Sequence, residues 1–201
     1  KIRIESFQNG KVDLQDGQAF ALDTALDSKS GTDSVVGVAY KELVNDVKAG
    51  DTLLLNDGLI VLEVTAVHGT RIETKVIAGG ELSNRKGVNR KGGGISAPAL
   101  TDKDFEDIRF ASAQGLDYLA LSFVRDAADI NKARELLKQA GGESVRIVAK
   151  IERHEAVAHL DEIIAATDVI MVARGDLGVE MGHAALTGLQ KTMIYKTRHA
   201  N

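Results

Sequence analysis

The hydrophobic period of this chain changes once, around Gly92-Gly93-Gly94 and the lone proline, Pro98, and that change constrains the fold more than any other feature. Before it, β-branched runs at 18–22, 34–40, 52–55, 59–68 and 71–77 alternate with Asn9-Gly10, Asp16-Gly17, Asp57-Gly58 and His68-Gly69. Those dipeptides accept the positive φ of tight hairpins. Many short strands with close turns and no helical period predict a small, all-β antiparallel barrel over residues 1–97. After it, strands and helices alternate. Thr101 with Asp104 makes a capping box and Gly115 a stop, which predicts a helix. Asp126 opens a second, with Ile130, Ala133, Leu136 and Leu137 on one face and Gly141-Gly142 as its end. A short helix follows at 161–166, and a last one carries Leu186, Leu189, Met193 and Ile194. The strands between them, at 117–123, 145–151 and 168–173, are apolar on both sides. Residues 98–201 therefore predict an α/β unit with a buried parallel sheet, doubly wound or part of a (β/α) barrel.

Composition narrows the possibilities further. With 44% hydrophobic residues the chain can bury a sizeable core, and with 4% aromatics that core must be Val, Ile, Leu and Ala. Asp plus Glu number 29 against 25 Lys plus Arg, so the net charge is 25 − 29 = −4, which argues against nucleic-acid binding by bulk charge. The absence of cysteine excludes a disulfide framework, a thiolate metal site and a cysteine nucleophile. No apolar run approaches the roughly 18 residues of a membrane span, and no signal peptide opens the chain. A cytoplasmic setting suits this pattern. Starting at Lys1 without methionine and stopping at Asn201 just after a helical stretch, the sequence reads as a piece of something longer.

Charge gathers where the strands end: Ser122-Phe123-Val124-Arg125, Lys150-Ile151-Glu152 and Ala173-Arg174-Gly175-Asp176. In a (β/α) barrel the carboxyl ends of the strands form the active-site mouth. Charges can also simply mark the exit from a buried strand. Three such ends in succession favour function, and the i, i+2 spacing of Lys150 and Glu152 turns both toward one side. A lysine with two carboxylates suits a divalent ion shared with a phosphorylated substrate, because Mg²⁺ takes one or two protein carboxylates and leaves its other positions to phosphate and water. A plain Lys150–Asp176 salt bridge is the alternative. Gly175-Asp176-Leu177-Gly178 reads as a glycine turn leading into a helix, whose free N–H groups can receive an anion.

Other patterns carry less. The basic run Arg85 to Gly92 could hold phosphates but lacks the order of a P-loop, and a solvated linker explains it as well. His154 and His159 stand five apart rather than four, which rules out a shared zinc face. Met171 and Met193 read as core fillers, and His68, His183 and His199 as surface residues.

Several blocks together are more specific than any one. Lys1-Ile2-Arg3, residues 57–62, residues 82–89, residues 98–104, residues 121–125, residues 149–152 and above all Met171-Val172-Ala173-Arg174-Gly175-Asp176-Leu177-Gly178-Val179-Glu180 resemble the pyruvate kinase family, in order along the whole chain. The resemblance implies that 1–97 is the all-β lid and 98–201 the middle strands of a (β/α)8 TIM barrel. It implies phosphoryl transfer from phosphoenolpyruvate to ADP, with Glu152 and Asp176 as Mg²⁺ (or Mn²⁺) ligands and Lys150 stabilising the transition state. N–H groups at Gly175 and Asp176, beside Ala173 and Arg174, would meet the substrate carboxylate, and Arg3 and Lys86 the nucleotide phosphates. Lys1 stands where the family has Glu or Lys; a lysine there can replace a monovalent cation, so K⁺ would not be required. A homotetrameric parent is implied as well.

There are departures too. Family residues expected before Lys1, a threonine expected after Asn201, and a C-terminal allosteric domain fall outside the sequence. Val179 to His183 lacks the usual proline, and Gly92-Gly93-Gly94 replaces a Pro-Gly, which points to a bacterial-type branch. Two competing readings are a Mg²⁺-dependent aldolase or lyase, which would need no β module, and a nucleotide-binding fragment without turnover.

Overall fold

The computed structural model describes residues 1–200 and divides the chain into two compact units, Lys1–Ala97 and a second starting at Pro98. In the first, β1 (Lys11–Leu14), β2 (Ala19–Asp23) and β3 (Val35–Gly37) precede a single helical turn, α1 (Leu43–Asp46). Then come β4 (Thr52–Leu55), β5 (Ile60–His68), β6 (Arg71–Ala78), β7 (Gly80–Ser83) and β8 (Val88–Arg90). Six of the strands form one sheet in the order β3-β2-β6-β5-β4-β8, antiparallel throughout except for the parallel β2–β3 pair. β1 and β7 pair separately.

The sheet closes through residues 2–5. On one side Ile4 N–H donates to the Lys86 carbonyl and Val88 N–H to that of Ile2; on the other, Glu5 N–H donates to Gly37 and Ala39 N–H to Arg3. The two edges, β3 and β8, are thus joined by one short segment, which removes the exposed edges an open sheet would leave. Inside lie Ile4, Phe20, Leu22, Leu53, Leu55, Ile60, Leu62 and Ile72, all essentially inaccessible. One aromatic and seven aliphatics follow from the low aromatic content.

Two of the four turn dipeptides make hairpins. Asp57-Gly58 lies between Leu55 and Ile60, with Asn56, Asp57 and Gly58 all at positive φ, and Gly69 turns His68 back onto Arg71. Gly10 and Gly17 take positive φ but make no hairpin: Asn9-Gly10 precedes β1, and Asp16-Gly17 joins β1 and β2, strands of different sheets. The basic run is no solvated linker, because Val88–Arg90 is the edge strand β8 on β4. The triple glycine is a bend held by Arg90. All three residues have positive φ, Gly93 is buried, and a Cβ on Gly94 would overlap the Arg90 guanidinium. That guanidinium donates to the Gly93 carbonyl at 3.0 Å and to Asp51 at 2.9 Å.

The second unit runs α2 (Asp102–Ala113), β9 (Tyr118–Leu121), α3 (Ala127–Gln139), β10 (Arg146–Ile151), α4 (His154–Ala158), α5 (Leu160–Ala166), β11 (Val169–Val172), α6 (Arg174–Met181) and α7 (His183–His199). Thr101 and Asp104 form the capping box of α2, and Asp126 caps α3 by accepting from Asp129 N–H. β9, β10 and β11 make a parallel sheet with β10 in the centre.

One face of this sheet is packed and the other is not. Leu121, Ile147, Ala149 and Ile151 form a buried cluster with Ile130, Ala133, Ile163 and Met193 from the helices. On the opposite face Tyr118, Val169 and Met171 are 51%, 37% and 44% exposed. The expectation that both faces are buried therefore fails for the described residues. Met171, read as a core filler, is on the open face, whereas Met193 is fully buried.

The stretch Gly175-Asp176-Leu177-Gly178 also departs from expectation. It lies within α6 from the second helical residue onward and is not a turn ahead of the helix, with Leu177 and Gly178 buried. A Cβ on Gly178 would come within 3.0 Å of the His183 ring, so the glycine lets the start of α7 approach.

Candidate active site

β10 delivers the centre of the site. Lys150 is its penultimate residue, and Glu152 follows the strand directly. The Lys150 ammonium lies 2.7 Å from Glu152 Oε1 and donates to Ser122 Oγ at 3.0 Å. The other carboxylate oxygen, Oε2, accepts the Phe123 N–H at 2.7 Å. Glu152 is 2% exposed, so these donors take the place of water around its charge. The lysine side chain keeps 25% of its surface, leaving its head accessible beside a buried anion.

Ser122 and Phe123 belong to the loop after β9, which pairs with β10 through Leu121 opposite Ala149. Phe123 has φ 57, a left-handed conformation that costs a residue with a Cβ about 1–2 kcal/mol. Both ends of the loop are held. Val124 is completely buried, and Arg125 grips Asp129 of α3 through Nε at 3.1 Å and Nη2 at 2.9 Å, its own N–H adding a third bond at 2.9 Å.

β11 brings the remaining candidates to the neighbouring strand end. Ile151 pairs with Val172, and Ala173 N–H donates to the Ile151 carbonyl at 3.2 Å. Ala173 is the N-cap of α6, so Gly175 and Asp176 lie in its first turn, at the positive end of the helix dipole. Asp176 is half-buried, and Arg174 and Gly175 are exposed. Further along α6, the buried Glu180 accepts the His154 N–H at 2.9 Å and ties α6 to the segment after β10.

Asp168 precedes β11 at the other end of the sheet and has a structural task. Burial pushes its carboxyl up, but the Ile147 N–H at 2.8 Å and Arg134 at 3.1 Å outweigh that and hold it below its ordinary value. No group of three or more His, Asp or Glu that could hold a metal exists among the described residues. A donor set of one or two carboxylates fits a hard ion that keeps phosphate and water ligands, and does not fit a closed protein cage.

In the first unit the closing segment gathers cations. Arg3 bridges to Gly87 and donates from Nη1 to the Arg85 carbonyl at 2.8 Å, while the Lys86 carbonyl accepts from Ile4. Arg3 and Lys86 are therefore on adjacent, hydrogen-bonded stretches of chain. The Lys1 ammonium meets Asp57 Oδ1 at 2.9 Å, and the lysine stem packs so closely that Gly87 has no room for a Cβ.

Sequence reasoning missed the Phe123 N–H and the Ser122 hydroxyl as partners in the cluster. Ser122-Phe123 stood at a recognised strand end, but nothing in the residue types announces a left-handed phenylalanine.

A parallel-sheet segment with a lysine and a buried carboxylate at the carboxyl ends of its strands, in a chain that also folds a closed β unit, is an arrangement of the kind (β/α) barrel domains use to place charge at their strand ends. The family model for the pyruvate kinase barrel domain matches residues 1–201. A pyruvate kinase of Haemophilus influenzae is 52% identical over the whole of this chain and 42% of its own length. Pyruvate kinase II of Salmonella typhimurium is 50% identical over the same share of each chain. A pyruvate kinase of Geobacillus stearothermophilus is 43% identical over 98% of this chain and 33% of its own. The chain belongs to the pyruvate kinase family, and it spans less than half the length of these relatives.

Proposed function

We propose that the full-length protein transfers the phosphoryl group of phosphoenolpyruvate to ADP, giving ATP and pyruvate in the last step of glycolysis, in the cytoplasm. The observation that carries this is the cluster at the end of β10, where Lys150 presents an accessible ammonium beside a buried, doubly held Glu152. An oxygen of the ADP β-phosphate attacks phosphorus, the bond from phosphorus to the enol oxygen breaks, and the electron pair stays on that oxygen. The resulting enolate takes a proton on its methylene carbon and becomes pyruvate. Little covalent help is needed, so positioning and charge stabilisation do the catalysis.

Lys150 would face the charge that develops on the transferring group, where a positioned cation stabilises the transition state. Glu152 and Asp176 would hold Mg²⁺ or Mn²⁺, which supplies Lewis-acid neutralisation of phosphate oxygens. The first-turn N–H groups of α6, at Gly175 and Asp176, would receive the substrate carboxylate beside Ala173 and Arg174. Residues 1–97 would act as the lid, with Arg3 and Lys86 on nucleotide phosphates, and 98–201 as the barrel portion. Lys1 would remove the need for K⁺, and the parent would be a homotetramer.

The test is turnover of phosphoenolpyruvate and ADP by the full-length protein with Mg²⁺. Dependence on the divalent ion and its loss in Glu152→Gln and Asp176→Asn are expected; undiminished turnover in both variants would overturn the assignment. A second reading, that residues 1–201 alone bind nucleotide without turnover, is favoured by the open sheet face at Tyr118, Val169 and Met171. ADP binding to the 201-residue chain without product would bear it out.

A further inference from the structure

We infer that Phe123 is a positioning residue that acts through its backbone, its left-handed conformation aiming the N–H that fixes the orientation of Glu152. The inference rests on the reading of Glu152 as a metal ligand and goes beyond it. A strand leaving a parallel sheet normally continues at negative φ. Three other non-glycine residues take positive φ among those described: Asn56, Asp57 and Arg85. All three stand in the first unit, and Asn and Asp are the side chains that tolerate that region best. Phenylalanine has no such local compensation.

Such a conformation persists only where the surroundings over-determine it. Here they do. Leu121 is fixed in the sheet opposite Ala149, Val124 is fully buried, and the Arg125–Asp129 fork fastens the far end to α3. Between these anchors, φ 57 at Phe123 sends its N–H to Glu152 Oε2 at 2.7 Å. Lys150 holds Oε1 at the same distance. With a donor on each oxygen the carboxylate cannot rotate about its last bond, so its remaining lone pairs keep one direction. Groups that orient a ligand in this way carry much of a metal site's affinity.

The experiment uses full-length protein and Mn²⁺ alone as the probe, with binding followed by electron paramagnetic resonance. Phe123→Gly removes the side chain but adopts φ near +57 freely, whereas Phe123→Val keeps an apolar side chain and disfavours that region. The glycine variant should retain Mn²⁺ affinity within about threefold, and the valine variant should lose about 10- to 100-fold. Glycine equal to or worse than valine, or no loss in either, would overturn the proposal.

Amide hydrogen exchange judges it independently, even if the valine variant does not fold. In metal-free protein the Phe123 amide should exchange about tenfold faster in Glu152→Ala than in the parent, as the loss of a charge-assisted bond requires. Unchanged exchange would refute the backbone link. Unchanged Mn²⁺ affinity in Glu152→Ala, with faster exchange, would instead refute the metal-ligand reading and leave the positioning intact.

Discussion

Replacing Lys150 by methionine separates what the ammonium does for the fold from what it does for the reaction. Methionine preserves the unbranched stem and deletes a charge that lies 2.7 Å from Glu152 and 3.0 Å from Ser122. Stripping one partner from a fully buried pair costs about 3–5 kcal/mol. Lys150 is a quarter exposed and Glu152 keeps the Phe123 N–H, so the loss should fall to about 1–3 kcal/mol, the cost of an under-satisfied buried acceptor. Against a domain stability of about 5–15 kcal/mol the variant stays folded. The kinetic loss should be of another kind. A preorganised donor facing developing charge is worth about 10²–10³ in kcat, or about 2.7–4 kcal/mol.

The assay is pyruvate formation by full-length Lys150→Met at saturating Mg²⁺, with a thermal melt alongside. The expected outcome is a kcat lower by two to three orders of magnitude, a KM for phosphoenolpyruvate within about threefold, and a modest drop in midpoint. A KM raised by the same large factor at constant kcat would show that Lys150 only binds substrate and would refute the reasoning.

Three further outcomes test other parts of the chain. Gly94→Ala puts a Cβ at φ +90 into the Arg90 guanidinium, and should cost about 1–3 kcal/mol through backbone strain and displacement of the Arg90–Asp51 contact; an unchanged melting midpoint would contradict this. Burial tends to raise the Asp51 carboxyl, but the Arg90 guanidinium and the Lys48 N–H prevail and lower it, so its stabilisation is present above the ordinary carboxylate value and is lost as pH falls through the lower folded-state value. Asp51→Asn should therefore flatten the fall in stability below about pH 4, and an identical acid slope in variant and parent would count against it. With Lys1 in place, full-length enzyme should turn over without added K⁺, and strong stimulation by K⁺ over a tetramethylammonium control would show otherwise.

The parts of the fold legible in the sequence are those whose cause is local. Thr101 with Asp104, Asp126 and the Gly141 stop mark helix ends by side-chain chemistry, and α2 and α3 begin where those residues say. The long strands β5 and β6 reveal themselves by β-branched content and the turn at Gly69. The short strands do not. β1 and β7 have four residues each and pair with each other, Lys11 opposite Ser83, so neither has a reason to be extended without the other. β8 has three residues inside a basic run and exists because Leu53 and Leu55 of β4 offer it an edge. Closure through residues 2–5 is hidden for the same reason, since its bonds reach to Gly37 and Lys86. Helix α6 was obscured by Gly175 and Gly178, each about 1 kcal/mol worse than alanine in a helix. The tight approach of His183 to Gly178 offsets that cost, and it is a tertiary fact.

The site divides along the same line. Lys150 and Glu152 stand out because charge at i and i+2 on the end of an apolar run is rare unless both side chains have somewhere to go, and the structure brings them into contact. The sequence spacing says nothing about which side of that pair is buried. Glu152 lies beneath the surface because the loop after β9 folds over it, and the loop does so because Val124 is drawn into the core and Arg125 is drawn to Asp129. The bend at Phe123 is the geometric remainder of those two anchors, carried by a residue whose own preference opposes it. Backbone donors of this kind leave no mark in residue type. They are found by asking where a buried carboxylate obtains its hydrogen bonds, and for Glu152 half of the answer is a peptide group twenty-nine residues away in the sequence.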